Sequence, residues 1–280
     1  MTDAGRGRLL VVGTPIGNLG DLSPRAAEAL RTADLVVAED TRLAARLLAH
    51  VGARRPTLSF TEHNAAARLP GLVGRLGAGQ TLALTTDAGM PAVSDPGALL
   101  VAAARDAGAA VEVVPGPAAV TTAMALAGIA APGFVFGGFL PARPVSARRA
   151  ALDALLSAAG TVRLPLVLYE APHRVTGLLD LLAEMVPGLP VVACRELTKR
   201  HEQVLAGTPA EIREALSEVR GEFTLVVGVP EAEAPAAAGL DAAALAAAAL
   251  AAGIAPRTVA DLLRAGGLSR REAYARAQGR

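Results

Sequence analysis

Hydrophobic positions in this chain fall into short runs with few polar interruptions, most of them closed by glycine, proline or acidic residues. Runs at 9–13, 34–38, 81–84, 111–114, 134–136, 166–169, 191–194 and 223–229 read as strands. An apolar run without polar alternation is the mark of a strand covered on both faces. Between the runs lie helical segments with start signals: Ser23 before Pro24, Asp95 before Pro96, and the box Thr208-Pro209-Ala210-Glu211. Strand and helix alternate, which predicts a mostly parallel sheet with helices on both faces. The pattern restarts after the helix at 118–128. Two α/β domains are therefore expected, 1–117 and 118–230, with a cleft between them. Residues 230–238, rich in proline, alanine and acids, read as a linker. Three short helices at 241–251, 256–263 and 269–277 form a helical appendix over 239–280, with a helix-turn-helix look.

One stretch breaks the rhythm. Residues 85–97, Thr-Thr-Asp-Ala-Gly-Met-Pro-Ala-Val-Ser-Asp-Pro-Gly, separate a strand from the next helix. So long a connection in a compact domain marks a functional loop. Its small side chains let a ligand approach the backbone, and Asp87 sits where the strand ends, the place where open α/β sheets bind ligands.

Composition narrows the class. The chain of 280 residues is 52% hydrophobic, yet no apolar run reaches membrane-spanning length, and the first eight residues lack a signal-peptide core. A single cysteine, Cys194, excludes an internal disulfide framework and suits a reducing cytoplasm. The four histidines show no metal-ligand spacing, so no metal is expected. A net charge of +1 does not announce a nucleic-acid binder. Among 27 cationic residues only Lys199 is lysine, and only Tyr169 and Tyr274 are tyrosine. Such depletion points to a GC-rich genome, and the survivors mark positions where chemistry resists substitution.

Six motifs then occur in order: Thr14-Pro15-Ile16-Gly17-Asn18, Glu39-Asp40-Thr41-Arg42, Asp87-Ala88-Gly89-Met90-Pro91, Pro115-Gly116-Pro117-Ala118-Ala119, Tyr169-Glu170-Ala171-Pro172-His173-Arg174 and Arg195-Glu196-Leu197-Thr198-Lys199. On these the chain resembles the bacterial 16S rRNA cytidine 2′-O-methyltransferases of the tetrapyrrole-methylase-like superfamily (class III methyltransferases). The resemblance covers about residues 9–229. It implies S-adenosylmethionine in the interdomain cleft, contacted at Ile16, Thr86, Asp87, Met90, Ala118, Ala119, Glu170 and Leu197, largely through backbone. It also implies a homodimer and a substrate in 16S rRNA or the small ribosomal subunit. The porphyrin-modifying relatives carry a G-x-G-P-G-D first loop. Here the loop reads Gly13-Thr14-Pro15-Ile16-Gly17-Asn18, which moves the substrate away from tetrapyrroles.

Methylating a ribose hydroxyl requires removing a proton from a poorly acidic group. The candidates at strand ends are Lys199, Glu170, His173 and Glu196, with Lys199 first because it is the one lysine and burial can deprotonate it. RNA contacts are expected from Arg42, Arg143, Arg148, Arg149, Arg174, Arg200 and the appendix arginines. With aromatic residues so scarce, phosphate and shape recognition are expected to dominate over base stacking. The rival readings are a precorrin or uroporphyrinogen methylase and a non-catalytic RNA-binding protein of the same fold.

Overall fold

The computed structural model describes residues 7–93, 95–229, 246, 249–251, 254–265 and 268–278. They divide into two compact units, Met1–Pro230 and Glu231–Arg280.

The first unit holds two five-stranded sheets. Its opening sheet is built from β1 (Arg8–Val12), β2 (Leu35–Ala38), β3 (Thr57–Ser59), β4 (Thr81–Leu84) and β5 (Ala110–Val114), in the order β3-β2-β4-β1-β5. Every pairing in it is parallel, as the alternation predicts. Strand side chains alternate between two cores. Leu10, Val12, Val36 and Ala83 pack against α1 (Pro24–Thr32) and α2 (Thr41–His50). Leu9, Val11, Val37, Leu82 and Leu84 pack against α3 (Ala65–Gly77) and α4 (Gly97–Asp106). The expected cap forms at α1, where Ser23 Oγ accepts from Ala26 N–H; α4 instead begins one residue later, at Gly97, with Pro96 before it and Asp95 accepting from Gly97 N–H. All the strands but β3 end in the loops that carry the motifs.

The second sheet comprises β6 (Val135–Phe139), β7 (Leu166–Glu170), β8 (Val191–Arg195), β9 (Gln203–Gly207) and β10 (Phe223–Val227), ordered β6-β7-β10-β8-β9. Here the expectation of a mostly parallel sheet fails. Only β6 and β7 run parallel; β7–β10, β10–β8 and β8–β9 are antiparallel. Residues 196–202 are too short a connection for a crossover, so β9 must fold back beside β8 as a hairpin.

This sheet also has two faces of different use. Leu166, Leu168, Val191, Ala193 and Leu225 pack under α6 (Val145–Val162), α7 (Pro172–Met185) and α8 (Pro209–Ala215). Val167, Val192, Cys194 and Val226 face the other way, towards α5 (Ala119–Ala127) and Ile16 of the first loop. The two halves of the unit meet on that second face. Between Phe136 and Gly138 the β6–β7 register shifts by a bulge. A Cβ on Gly137 would collide with Leu155 and Leu168, so the extra residue has to be glycine for α6 to pack this closely.

In the second unit, α9 (Pro256–Ala265) and α10 (Arg270–Ala277) share a small core of Val259, Ala260, Leu263, Ala273 and Ala277 with Ala246. Ser269 and Glu272 form a reciprocal cap on α10. The expected linker 230–238 and most of the expected helix 241–251 lie outside the described residues. Among the described residues no helix is long and apolar enough to cross a membrane, and no group of histidine, cysteine or acidic side chains could hold a metal.

Candidate active site

The loops after β1, β4 and β5 are tied together by backbone. Thr14 N–H donates to the Gly89 carbonyl at 2.8 Å, and Gly89 N–H returns to Thr14 at 3.2 Å, an isolated antiparallel bridge. Thr14 Oγ1 lies within reach of the carbonyls of Gly89 and Thr86. The Gly116 N–H points at the Met90 sulfur at 3.3 Å. Gly13 and Gly116 touch backbone to backbone, and a Cβ on either would strike the other. These contacts bring Ile16, Thr86, Met90 and Ala118 to one edge of the sheet. Ile16 is buried with Leu197, and Ala118 and Ala119 pack on the same cluster. The N-terminus of α5 carries no side-chain cap. Asp87 is the outlying member of this group: its Oδ1 accepts from Asp40 N–H at 3.0 Å and ties the central loop to the end of β2.

From the second sheet, the loop 195–199 leans on Gly17. A Cβ there would collide with Lys199 Cγ, the Leu197 carbonyl and Thr198 Oγ1. Glu196 and Thr198 both hold positive φ, +52° and +65°, and the Thr198 hydroxyl is buried without a partner. For a β-branched residue that is backbone strain, which collects where geometry matters more than stability. Lys199 Nζ sits between Glu196 and Glu222, 2.8 Å from a carboxylate oxygen of each. Burial pulls the Lys199 pKa down, but these two hydrogen bonds outweigh it and leave the pKa above the ordinary lysine value. Lys199 is therefore an ammonium, and the expected route to a lysine base by burial is closed.

Strand parity corrects a second expectation. Val167 and Tyr169 point to the face where the halves meet; Leu168 and Glu170 point under α6 and α7. Glu170 is 1% exposed. Its Oε2 accepts from Arg148 at 2.5 Å and its Oε1 pairs with Arg174 at 2.7 Å while accepting from Ala171 N–H. A carboxylate so engaged cannot serve as base, and its side chain does not reach the cleft. Arg148 and Arg174 are likewise withdrawn from RNA: the first is buried and the second half-buried, and they also donate to the carbonyls of Arg174 and Leu140 respectively. The residue on the cleft side of this motif is Tyr169, since alternation along β7 sets it opposite Glu170. Burial raises its pKa. His173 stands exposed in the first turn of α7.

The other expected RNA contacts are at the surface. Arg143 and Arg200 are exposed; Arg149 is paired with Glu184, and Arg42 with Asp40 at 2.6 Å. The Arg42 hydrogen bond lowers the Asp40 pKa to about 2. Nearby, burial followed by repulsion from neighbouring carboxylates raises the pKa of Glu39, and burial raises that of Asp87. The first sheet thus presents an acidic edge to the loops. Cys194 is buried beneath them, its pKa pushed up to about 11 by burial, so it is no nucleophile.

Residues 8–213 match the family described as Tetrapyrrole (Corrin/Porphyrin) Methylases, and the chain belongs to that family. Within it, the chain is 46% identical over 226 residues to a Xylella fastidiosa protein named ribosomal RNA small subunit methyltransferase I, covering 79% of this chain and 81% of that one. It is 42% identical to the protein of that name from Synechocystis, covering 79% of this chain and 78% of the relative. Solved structures share the fold at lower identity. Uroporphyrin-III-C-methyltransferase from Thermus thermophilus matches with a TM-score of 0.56 and 23% identity, covering 81% of this chain and 96% of that one. Diphthine synthase matches with a TM-score of 0.62 and 17% identity, covering 79% and 90%.

The family uses S-adenosylmethionine, and the loops fit it. Ala118 and Ala119, half-buried over the cluster that holds Ile16 and Leu197, offer an apolar surface of the kind an adenine needs. The uncapped α5 terminus suits a carboxylate, and the acidic edge suits a cationic ligand. A cavity of about 90 Å³ between α2 and the strand ends is lined by Leu43 and Leu47 together with Thr14, Thr86 and Asp87, so it adjoins the same loops.

Proposed function

We propose that this methyltransferase places a methyl group on the ribose 2′-oxygen of a cytidine in small-subunit rRNA. The observation that carries the reading is the 46% identity, over most of both chains, with a ribosomal RNA small subunit methyltransferase I. S-adenosylmethionine supplies an activated methyl on a good leaving group, so the protein's share is positioning and proton removal. Ile16, Thr86, Met90, Ala118, Ala119 and Leu197 hold the cofactor, with Asp87 bracing the loop from Asp40. His173, exposed where β7 gives way to α7, is the base. Lys199, a fixed ammonium against the first loop, stabilises the developing alkoxide. Arg42, Arg143, Arg149 and Arg200 meet RNA phosphates. The working protein is a cytoplasmic homodimer of two α/β halves, 1–117 and 118–230, with the appendix 239–280 adding RNA affinity.

The test is transfer of labelled methyl from S-adenosylmethionine, with purified small subunits in one arm and a uroporphyrinogen in the other. Label in the RNA, mapped to a 2′-O-methyl cytidine that a deletion strain lacks, is the expected result. Label in the tetrapyrrole alone would replace this reading with the rival.

A further inference from the structure

The chain has seven aromatic residues, five phenylalanines and two tyrosines. Three of them are gathered at one place. Phe136 lies edge-on to Tyr169 with ring centroids 5.0 Å apart, and Phe139 tilts against the other side of Tyr169 at 5.5 Å. A regular strand would put Phe136 and Phe139 on opposite faces, since they are three residues apart. The bulge at Gly137 adds the residue that returns Phe139 to the face of Phe136. Phe139 therefore pairs in register with Tyr169, on the face where the two halves meet and at the C-terminal ends of β6 and β7.

Phe139 is also 56% exposed, whereas Phe60 and Phe223 are 2% exposed. Its backbone is fixed: Leu140, next in the chain, is buried, and the Leu140 carbonyl accepts from Arg174 at 3.3 Å. So the Glu170 ion-pair cluster anchors the segment that carries the ring. The exposed Arg143 follows four residues on, and β6 is an edge strand, which leaves the outer side of the ring open.

We propose that Phe139, backed by Tyr169, is the platform on which a base of unpaired RNA stacks while a ribose hydroxyl is presented to the cleft. Bases splayed from single strands are held on aromatic rings, and a cation one loop away suits the phosphate beside such a base. This rests on the rRNA reading above, and it replaces the expectation that stacking plays little part. The site selects unpaired RNA over duplex, because a base within a helix has no free face to offer.

The experiment uses the full chain with S-adenosylmethionine and a short single-stranded RNA containing one 2-aminopurine, whose emission falls on stacking. Wild type and Phe139→Tyr should quench it, and Phe139→Leu should bind roughly ten- to a hundredfold more weakly without quenching. With an abasic site in place of the 2-aminopurine, the wild type and Phe139→Leu should bind alike. Methyl transfer into small subunits should lose a comparable factor in kcat/KM for Phe139→Leu, while the calorimetric cofactor Kd is unchanged. Equal RNA affinity in the wild type and Phe139→Leu overturns the proposal. So does a shifted cofactor Kd, which would assign the ring to the cofactor, or a changed oligomeric state, which would assign it to a second copy. Wild-type quenching without rRNA methylation would instead keep the platform and remove the rRNA reading.

Discussion

At the scale of single residues, Gly89 and Lys199 show how far a side chain's role is set by its backbone and neighbours. Gly89 holds φ +84° while both its N–H and its carbonyl pair with Thr14. Gly89→Val therefore costs about 1–3 kcal/mol of stability from strain alone, besides blocking the cleft. Urea unfolding should show that loss together with weaker cofactor binding; an unchanged midpoint would mean that the loop rearranges freely. Lys199 has a pKa above the ordinary value, so its contribution is complete below the unfolded pKa and disappears as pH rises through the folded one. For Glu196, burial acts to raise the pKa, but the hydrogen bonds from Lys199 and Glu222 N–H prevail and lower it. Its contribution is present above the usual glutamate range and disappears as pH falls through the lowered value. The cluster is thus intact across neutrality, and in Lys199→Met the alkaline part of the pH dependence should flatten. Lys199→Arg keeps the charge but not its compact shape. Turnover should fall roughly 10²-fold with both affinities near wild type. Full turnover would take Lys199 out of the mechanism.

Between elements, the Glu170 cluster does the joining. One carboxylate at the end of β7 receives an arginine from α6 and another from α7, and each arginine also binds a backbone carbonyl. Removing the negative centre leaves two guanidinium groups facing each other in a buried site. Glu170→Gln should cost about 3–5 kcal/mol in urea unfolding, and adding Arg148→Met should restore part of it. A loss below about 1 kcal/mol would show that water reaches the site. The sequence carried the eight runs because the interior strands, covered on both faces, need near-continuous hydrophobicity, and the edge strands β5 and β6 keep enough of it to show. It did not reveal β3, a three-residue edge strand, or β9, whose short run Val204-Leu205-Ala206 lies between polar residues close behind a motif loop. Strand direction was hidden as well, since the hairpin of β8 and β9 turns on a loop that resembles any motif loop. The loop motifs were legible because glycine, proline and acids at strand ends have few other uses. Alternation along β7 sets Tyr169 and Glu170 on opposite faces, but both faces are apolar, so which of the two meets the cleft is visible only in the structure.

For the whole molecule, the division at residues 230 and 231 makes a separable prediction. Residues 241–280 carry six arginines against three acids. A chain lacking Gly239–Arg280 should keep its cofactor Kd and raise the KM for small subunits, with a shallower salt dependence than the full chain. Insolubility of that chain would place these helices in the core or in a subunit interface. The parallel sheet has a further consequence, for the order in which the protein can be made. β1 is an interior strand, flanked by β4 and β5, with Arg8 opposite Thr81 and Ala110. During synthesis its apolar face must wait, unpaired, until about a hundred more residues have left the ribosome. The antiparallel hairpin of β8 and β9 closes across residues 196–202 and has no such delay. Nascent chains stalled between β4 and β5 should be the most sensitive to protease and the most dependent on chaperones. The first strand to emerge is thus among the last to be sheltered.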